Sequence, residues 1–296
     1  MTFYRSVTRM ARREHEENRL SWNAATQAHN SHKGDQAKFF RDGGSTLRDE
    51  ELALLGNLAG QRVAHLQCNS GQDTLSLVKL GSSVVGVDLS DEAIAFAQRL
   101  SADSGIPATF VRADVYEWLA QSATQPPGFD VCFCSYGALM WLFNLDSWAR
   151  GIASILKPGG RLVVVDFHPF ALVFDEKKEH YRPYFAGGRV FTEATGVPDY
   201  VSRAGEQMVP WGFERGVEGF KNPHPSHEYQ WTLAELLTAV LEAGLTLKTY
   251  REYPQCQMAF FEELVCDSSG NRVFREGAFN LPLVFGLVAQ LPPARE

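Results

Sequence analysis

Two short apolar runs in this 296-residue chain lead into a carboxylate. Val84-Val85-Gly86-Val87 runs into Asp88, and Thr109-Phe110-Val111 leads through Arg112 and Ala113 to Asp114. A carboxylate at the end of a buried strand can accept two hydrogen bonds from a ribose diol. Asp88 falls seventeen residues after Gly71, which closes the turn Gln67-Cys68-Asn69-Ser70-Gly71 behind the run Val63-Ala64-His65-Leu66. Glycine in such a turn lets backbone approach a ligand, and asparagine tolerates positive φ. The competing role for each acid is a helix N-cap. Ser90 already offers that cap to Glu92–Leu100, which leaves Asp88 for the ribose. For Asp114 the cap would serve Tyr116–Leu119.

Imidazole titrates near neutrality, so two histidines are candidate general bases. His168 lies just past Arg161–Val165, and His227 sits in Pro225-Ser226-His227-Glu228-Tyr229. Tyr136, at the end of Phe129–Ser135, is a third candidate, for positioning an acceptor. Each also has a plain structural reading. His29 and His32 stand three apart without a matching carboxylate, so no metal site is expected. The five cysteines are spread out, as buried reduced thiols are, and Cys132 and Cys134 share one face of a strand.

From Arg62 to Val165 strand-sized apolar runs alternate with amphipathic stretches, the pattern of βαβ units and a parallel sheet covered on both faces. Right-handed crossovers make that a doubly wound α/β sheet. Residues 1–60 read as a polar helical cap, 61–169 and 230–296 as the core, and 170–229 as an insertion rich in Gly, Pro and aromatics. Thr232-Leu233-Ala234-Glu235 is a capping box that restarts the pattern, followed by strands near 245–250 and 281–289. That gives a mostly parallel sheet of seven strands. The formal charge of −7 excludes the basic footprint of a nucleic-acid binder. No apolar run approaches the ~20 residues that span a bilayer. Arg5, Arg9, Arg12 and Arg13 run straight into Glu14, Glu16 and Glu17, as a solvated helix start does; a cytoplasmic location is expected.

With these runs in place the chain resembles the class I S-adenosylmethionine-dependent methyltransferases of small-molecule type. Their first motif is an acid followed by a glycine-rich turn. Here His65 stands at the acid, Gln67 and Asn69 at the first two glycines, and Gly71 at the last. The module Ile155-Leu156-Lys157-Pro158-Gly159-Gly160 leading into Arg161–Val165 carries the resemblance most specifically. A dinucleotide dehydrogenase would need Gly-x-Gly-x-x-Gly where this chain has Gln67, Asn69 and Gln72. The resemblance implies S-adenosylmethionine as cofactor, held by Gln67, Asn69, Gly71, Asp88, Leu89, Asp114, Val115 and Ser135. Asp114 would accept from the adenine amino group, with its neighbour packed on the ring. It also implies transfer to oxygen, nitrogen or carbon of a small molecule.

The spaced carboxylates of metal-dependent catechol methyltransferases are missing, so no catalytic metal is expected. Arg19-Leu20-Ser21-Trp22-Asn23 either folds over the cofactor, as such segments do in related enzymes, or simply packs Trp22 on the domain. Eleven aromatics in residues 170–229 suit an uncharged acceptor pocket, with a satellite core or a homodimer contact as the other reading. Two further classes keep the fold: a regulatory protein that binds the cofactor without turnover, and an RNA or protein methyltransferase.

Overall fold

The structure of the protein, a computed structural model, describes residues 2–277 and 280–294, without the side chains of 2–11, 206 and 207. Arg5 and Arg9 therefore lie outside the described side chains. Three helices come first: α1 (Thr2–Ser31), α2 (Gln36–Arg41) and α3 (Asp49–Leu55). The alternating core then runs β1 (Arg62–Leu66), α4 (Gln72–Lys79), β2 (Ser83–Asp88), α5 (Asp91–Ser104), β3 (Thr109–Arg112), α6 (Val115–Ser122), β4 (Phe129–Ser135), α7 (Leu145–Ile155) and β5 (Leu156–Phe167). The inserted segment contributes β6 (Val190–Glu193), α8 (Tyr200–Ala204) and β7 (Ser226–Tyr229). After it come α9 (Leu233–Glu242), β8 (Thr246–Tyr253), β9 (Gln255–Cys256), β10 (Val265–Cys266), β11 (Arg272–Val273) and β12 (Val284–Gln290).

Seven strands form the central sheet in the order β3-β2-β1-β4-β5-β12-β8. The pairs from β3 to β5 are parallel, and β12 runs antiparallel between β5 and β8. This is the doubly wound, mostly parallel sheet of seven strands that the alternation predicts. Its inner strands are largely apolar because helices cover both faces: Val63, Ala64 and Leu66 of β1 and Val131 to Cys134 of β4 are fully buried. Helix α7 shows why the covering elements are helices. Leu145, Trp148, Ala149, Ile152 and Ile155 recur at helical spacing, and all five face the core. Burying a side chain the size of Trp148 or Phe133 contributes roughly 2–3 kcal/mol.

Strand order reverses between β1 and β4, which opens a crevice beyond their carboxyl ends. Lys157 to Gly160 are the irregular start of β5. Gly159 takes φ +81° there, and the Lys157 ammonium pairs with Asp130 at 2.8 Å. The short sheet β10-β11-β9 has no counterpart in the sequence reading, since two-residue strands leave no period. The insertion is stitched by the antiparallel pair β6–β7 and packs against α1. Among the described residues no helix is long and apolar enough to cross a membrane.

Candidate active site

The crevice is floored by the turn after β1. Gln67 and Asn69 adopt φ +56° and +48°, so both non-glycine residues hold the left-handed geometry the turn needs. Gly71 is left-handed too, at φ +80°, but its smallness answers to packing. A Cβ there would come within 2.7 Å of Ala97 and 2.8 Å of Phe110. His65, at the motif's acid position, is buried with Nδ1 2.8 Å from Thr74 Oγ1. Burial pushes its pKa down to about 4, against the pull of Asp73, so it is neutral. Gln67 donates from Nε2 to the carbonyl of Ala138, tying the turn to the loop after β4, while its Oε1 is buried without a partner.

Asp88 ends β2 beside this turn. Its Oδ2 accepts the Asn69 amide and its Oδ1 the Ser90 amide, each at 2.8 Å. Burial raises its pKa, with those amides opposing. The side chain is only partly buried, and each oxygen keeps a lone pair for a ribose hydroxyl. Ser90 caps α5 through the Ala93 amide, as expected. Asp114 does what its competing reading said: Oδ1 caps α6 through the amides of Tyr116 and Glu117. Its Oδ2 faces Nδ1 of His15 from α1. Burial pulls the Asp114 pKa up, but the His15 and amide hydrogen bonds outweigh it and hold the carboxyl below its ordinary value. Leu89, next to Asp88, is half-buried, and Val115, next to Asp114, is buried. Ser135 donates to Asp73 Oδ2 at 3.4 Å, at the β4 end of the crevice.

The candidate bases are engaged elsewhere. His168 Nδ1 accepts the Phe170 amide, and Nε2 lies 3.2 Å from Glu252. Burial lowers its pKa. His227 has Nε2 2.6 Å from Glu17 and Nδ1 3.0 Å from Thr192, which fastens α1 to the insertion. Tyr136 donates its hydroxyl to Glu50 at 2.7 Å and packs on Phe167. These side chains position loops, and none of the three holds an unengaged group over the turn.

Helix α1 does more than its polar sequence suggested. It lies along the crevice edge, where Asn23 bonds Ser90 and Asp91, Asn18 bonds both backbone groups of His227, and Asn30 bonds Ser70 in the turn itself. Trp22 packs edge-on to Trp141, with Tyr200 and His29 completing an aromatic wall. His29 and His32 turn out to bond Pro198 and Asp199 of the insertion. Among the described residues no three His, Cys, Asp or Glu side chains gather as metal ligands. The insertion's aromatics divide: Tyr200 and Trp211 face α1 and α2, whereas Phe185 is 87% exposed. Beyond β4 and β5 a cavity of about 30 Å³ is lined by Met140, Phe167, Leu172, Tyr229 and Trp231. Sequence reasoning missed His15 and Asp73, which meet Asp114 and Ser135. Asp73 had a signal, two residues past Gly71 at a helix start; His15 had none.

These groups fit an adenosyl cofactor. A half-open strand-end carboxylate, a left-handed turn and a second carboxylate at the next strand end line one edge, and Gln67 Oε1 is an orphaned acceptor beside them.

Comparison with known proteins agrees. The family model described as a methyltransferase domain matches residues 63–160. A ubiquinone biosynthesis O-methyltransferase of Xanthomonas euvesicatoria is 36% identical over 116 residues, 39% of this chain and 47% of that enzyme. The match thus spans about half of the curated relative. An S-adenosyl-L-methionine-dependent Diels-Alderase of Talaromyces variabilis is 29% identical over 41% of this chain and 42% of its own length. An S-adenosylmethionine dependent methyltransferase of Mesorhizobium loti shares the fold, with TM-score 0.53 and 18% identity over 84% of this chain and 99% of that one. Residues 63–160 thus match a methyltransferase domain, set in a seven-stranded sheet that brings the carboxylates of β2 and the β3 end to one crevice.

Proposed function

We propose that the chain transfers a methyl group from S-adenosylmethionine to a small organic acceptor. The observation that carries this is Asp88, whose carboxylate is pinned by two amides yet open toward the turn of Gln67 and Asn69. When bound, the cofactor supplies an electrophilic methyl group on a sulfonium centre. Asp88 holds the ribose, Leu89 and Val115 flank the base, and Asp114 receives the adenine amino group on the edge it shares with His15. Asn69 and Gln67 shape the backbone beneath. Trp22, Trp141 and Tyr200 exclude water from the crevice. In-line displacement gains most from alignment and from a dry, charge-dispersing environment, and those are what these residues provide.

His168, His227 and Tyr136, expected as base or positioning groups, spend their polar atoms on loop contacts, so their part is to fix the walls. The acceptor therefore brings its own nucleophilicity. The relative's name, an O-methyltransferase, makes oxygen the first acceptor atom to test. The insertion and α1 form the lid, and the net negative charge argues against RNA. Incubating the protein with labelled methyl donor and fractionated cell metabolites tests the reading. A labelled small molecule is expected. Tight donor binding with no labelled product from any fraction would point instead to a regulatory role.

A further inference from the structure

Helix α3 carries two acids side by side, Glu50 and Glu51, only 6% and 1% exposed. Tyr136, the residue after β4, donates its hydroxyl to Glu50 Oε1 at 2.7 Å. Glu51 Oε2 accepts the Arg48 amide at 2.8 Å, while its Oε1 is buried with no partner. Among the described residues neither acid makes an ion pair. Arg48, at the start of the helix, turns its guanidinium to Asn271 instead, at 2.7 Å. The Tyr136 ring leads a row of partly exposed rings. Phe167 lies 5.8 Å from it between centroids, and Phe260 stands edge-on to Phe167 at 4.7 Å. Gln67 of the turn after β1 bonds the carbonyl of Ala138, two residues beyond Tyr136, so acids and rings sit one loop away from that turn. Burial, with Asp73 adding to it, lifts the Glu51 carboxyl well above its ordinary range, against the Arg48 amide.

Two acids withdrawn from water without a cation are costly. Here one of them keeps an unused acceptor oxygen, and aromatic faces stand beside the pair. Such a set is complementary to a cation that donates hydrogen bonds. We propose that Glu50 and Glu51, with the rings of Tyr136, Phe167 and Phe260, hold the protonated amine of an amine-bearing small acceptor. This rests on the reading of the site as a methyltransferase and narrows its acceptor class. The unpartnered oxygen of Glu51 needs an N–H donor, which a quaternary ammonium lacks, so the amine is primary, secondary or tertiary. A protonated amine has no lone pair to attack a sulfonium methyl group. The amine is therefore a handle and not the atom methylated, in keeping with oxygen as the first atom to test.

Calorimetry on the protein saturated with S-adenosylhomocysteine tests the handle with three probes: 2-phenylethylamine, 2-phenylethanol and trimethyl(2-phenylethyl)ammonium. One charge-assisted contact is worth about tenfold or more in affinity. The wild-type chain is expected to bind the amine tighter than the alcohol or the quaternary ion by that factor. Glu51→Gln and Glu50→Gln keep the shape and remove one charge each. Each is expected to weaken the amine about tenfold, to leave the alcohol within twofold, and to leave S-adenosylhomocysteine affinity within twofold. The handle is overturned if the wild-type chain binds the amine no tighter than the alcohol. It is equally overturned if both variants weaken amine and alcohol alike, which would mark the acids as structural, or if neither variant weakens the amine. A quaternary ion bound as tightly as the amine overturns the N–H contact to Glu51. A wild-type chain that binds the amine selectively but no S-adenosylhomocysteine refutes the methyltransferase reading, and the acceptor role of the handle with it.

Discussion

Asp88 is expected to serve fold and ligand at once, and its removal separates the two. In Asp88→Ala the amides of Asn69 and Ser90 lose their 2.8 Å acceptor. A buried amide left without a partner costs about 1–3 kcal/mol, and partial access to water here favours the lower half, so about 2–4 kcal/mol in total. For a chain of this size that is a fall in Tm of roughly 3–6 °C. The ribose diol would lose two charge-assisted bonds worth about 1.5–3 kcal/mol each, a drop in donor affinity of about a hundredfold or more. Reading the sequence alone, with Ser90 as the cap, predicts little change in stability, and the two amides are the reason to expect more. Asp88→Asn keeps the shape and one acceptor oxygen, so it should cost less in Tm and about tenfold in affinity. Thermal melts and calorimetry with S-adenosylhomocysteine, run on both variants, give the two numbers. A lowered Tm with donor affinity unchanged would mean that Asp88 only ties the turn to β2, and the cofactor would have to lie elsewhere.

Asn18→Ala strips both backbone groups of buried His227 of their side-chain partner, and a loss of about 2–4 kcal/mol is expected in denaturant titration. An unchanged midpoint would show that α1 is not held there. Gly71→Ala must put a Cβ against Ala97 and Phe110 at φ +80°, costing about 2–4 kcal/mol; a variant as stable as wild type would refute the packing account. His29 and His65 are pushed by burial from 6.5 to about 4, so the unfolded chain binds more protons between those values. Stability should therefore fall as pH drops from 6.5 to 4, by up to about 3 kcal/mol for each. His29→Gln and His65→Gln should each flatten that limb of the profile, and an unchanged slope contradicts the assignment.

What the sequence displayed, it displayed through period and turn chemistry. The runs at Val63, Val84, Phe129 and Arg161 became strands because they are largely apolar, with the shorter run at Thr109 on the sheet edge, and Thr232 with Glu235 forms the capping box its spacing announced. Long-range polar contacts were not legible. Nothing in Glu17-Asn18 says that they meet His227, 210 and 209 positions away. His168 stands just past β5, where a base or a structural ring both fit the sequence; the backbone turns at Pro169 and the ring meets Glu252 from β8. The positive φ that the sequence allowed Asn69 is there, and Gln67 adopts it as well, so the turn stays left-handed without its first two glycines. Asp114 was read as a choice between cap and ligand, and its two oxygens divide between the α6 amides and His15.

The most direct test is a crystal structure with S-adenosylhomocysteine. The account predicts the ribose hydroxyls on Asp88, the adenine between Leu89 and Val115 with its amino group at Asp114, and the amino-acid tail running toward Ser135. A nucleoside bound away from the β1–β4 crevice, or none at saturating concentration, would contradict it.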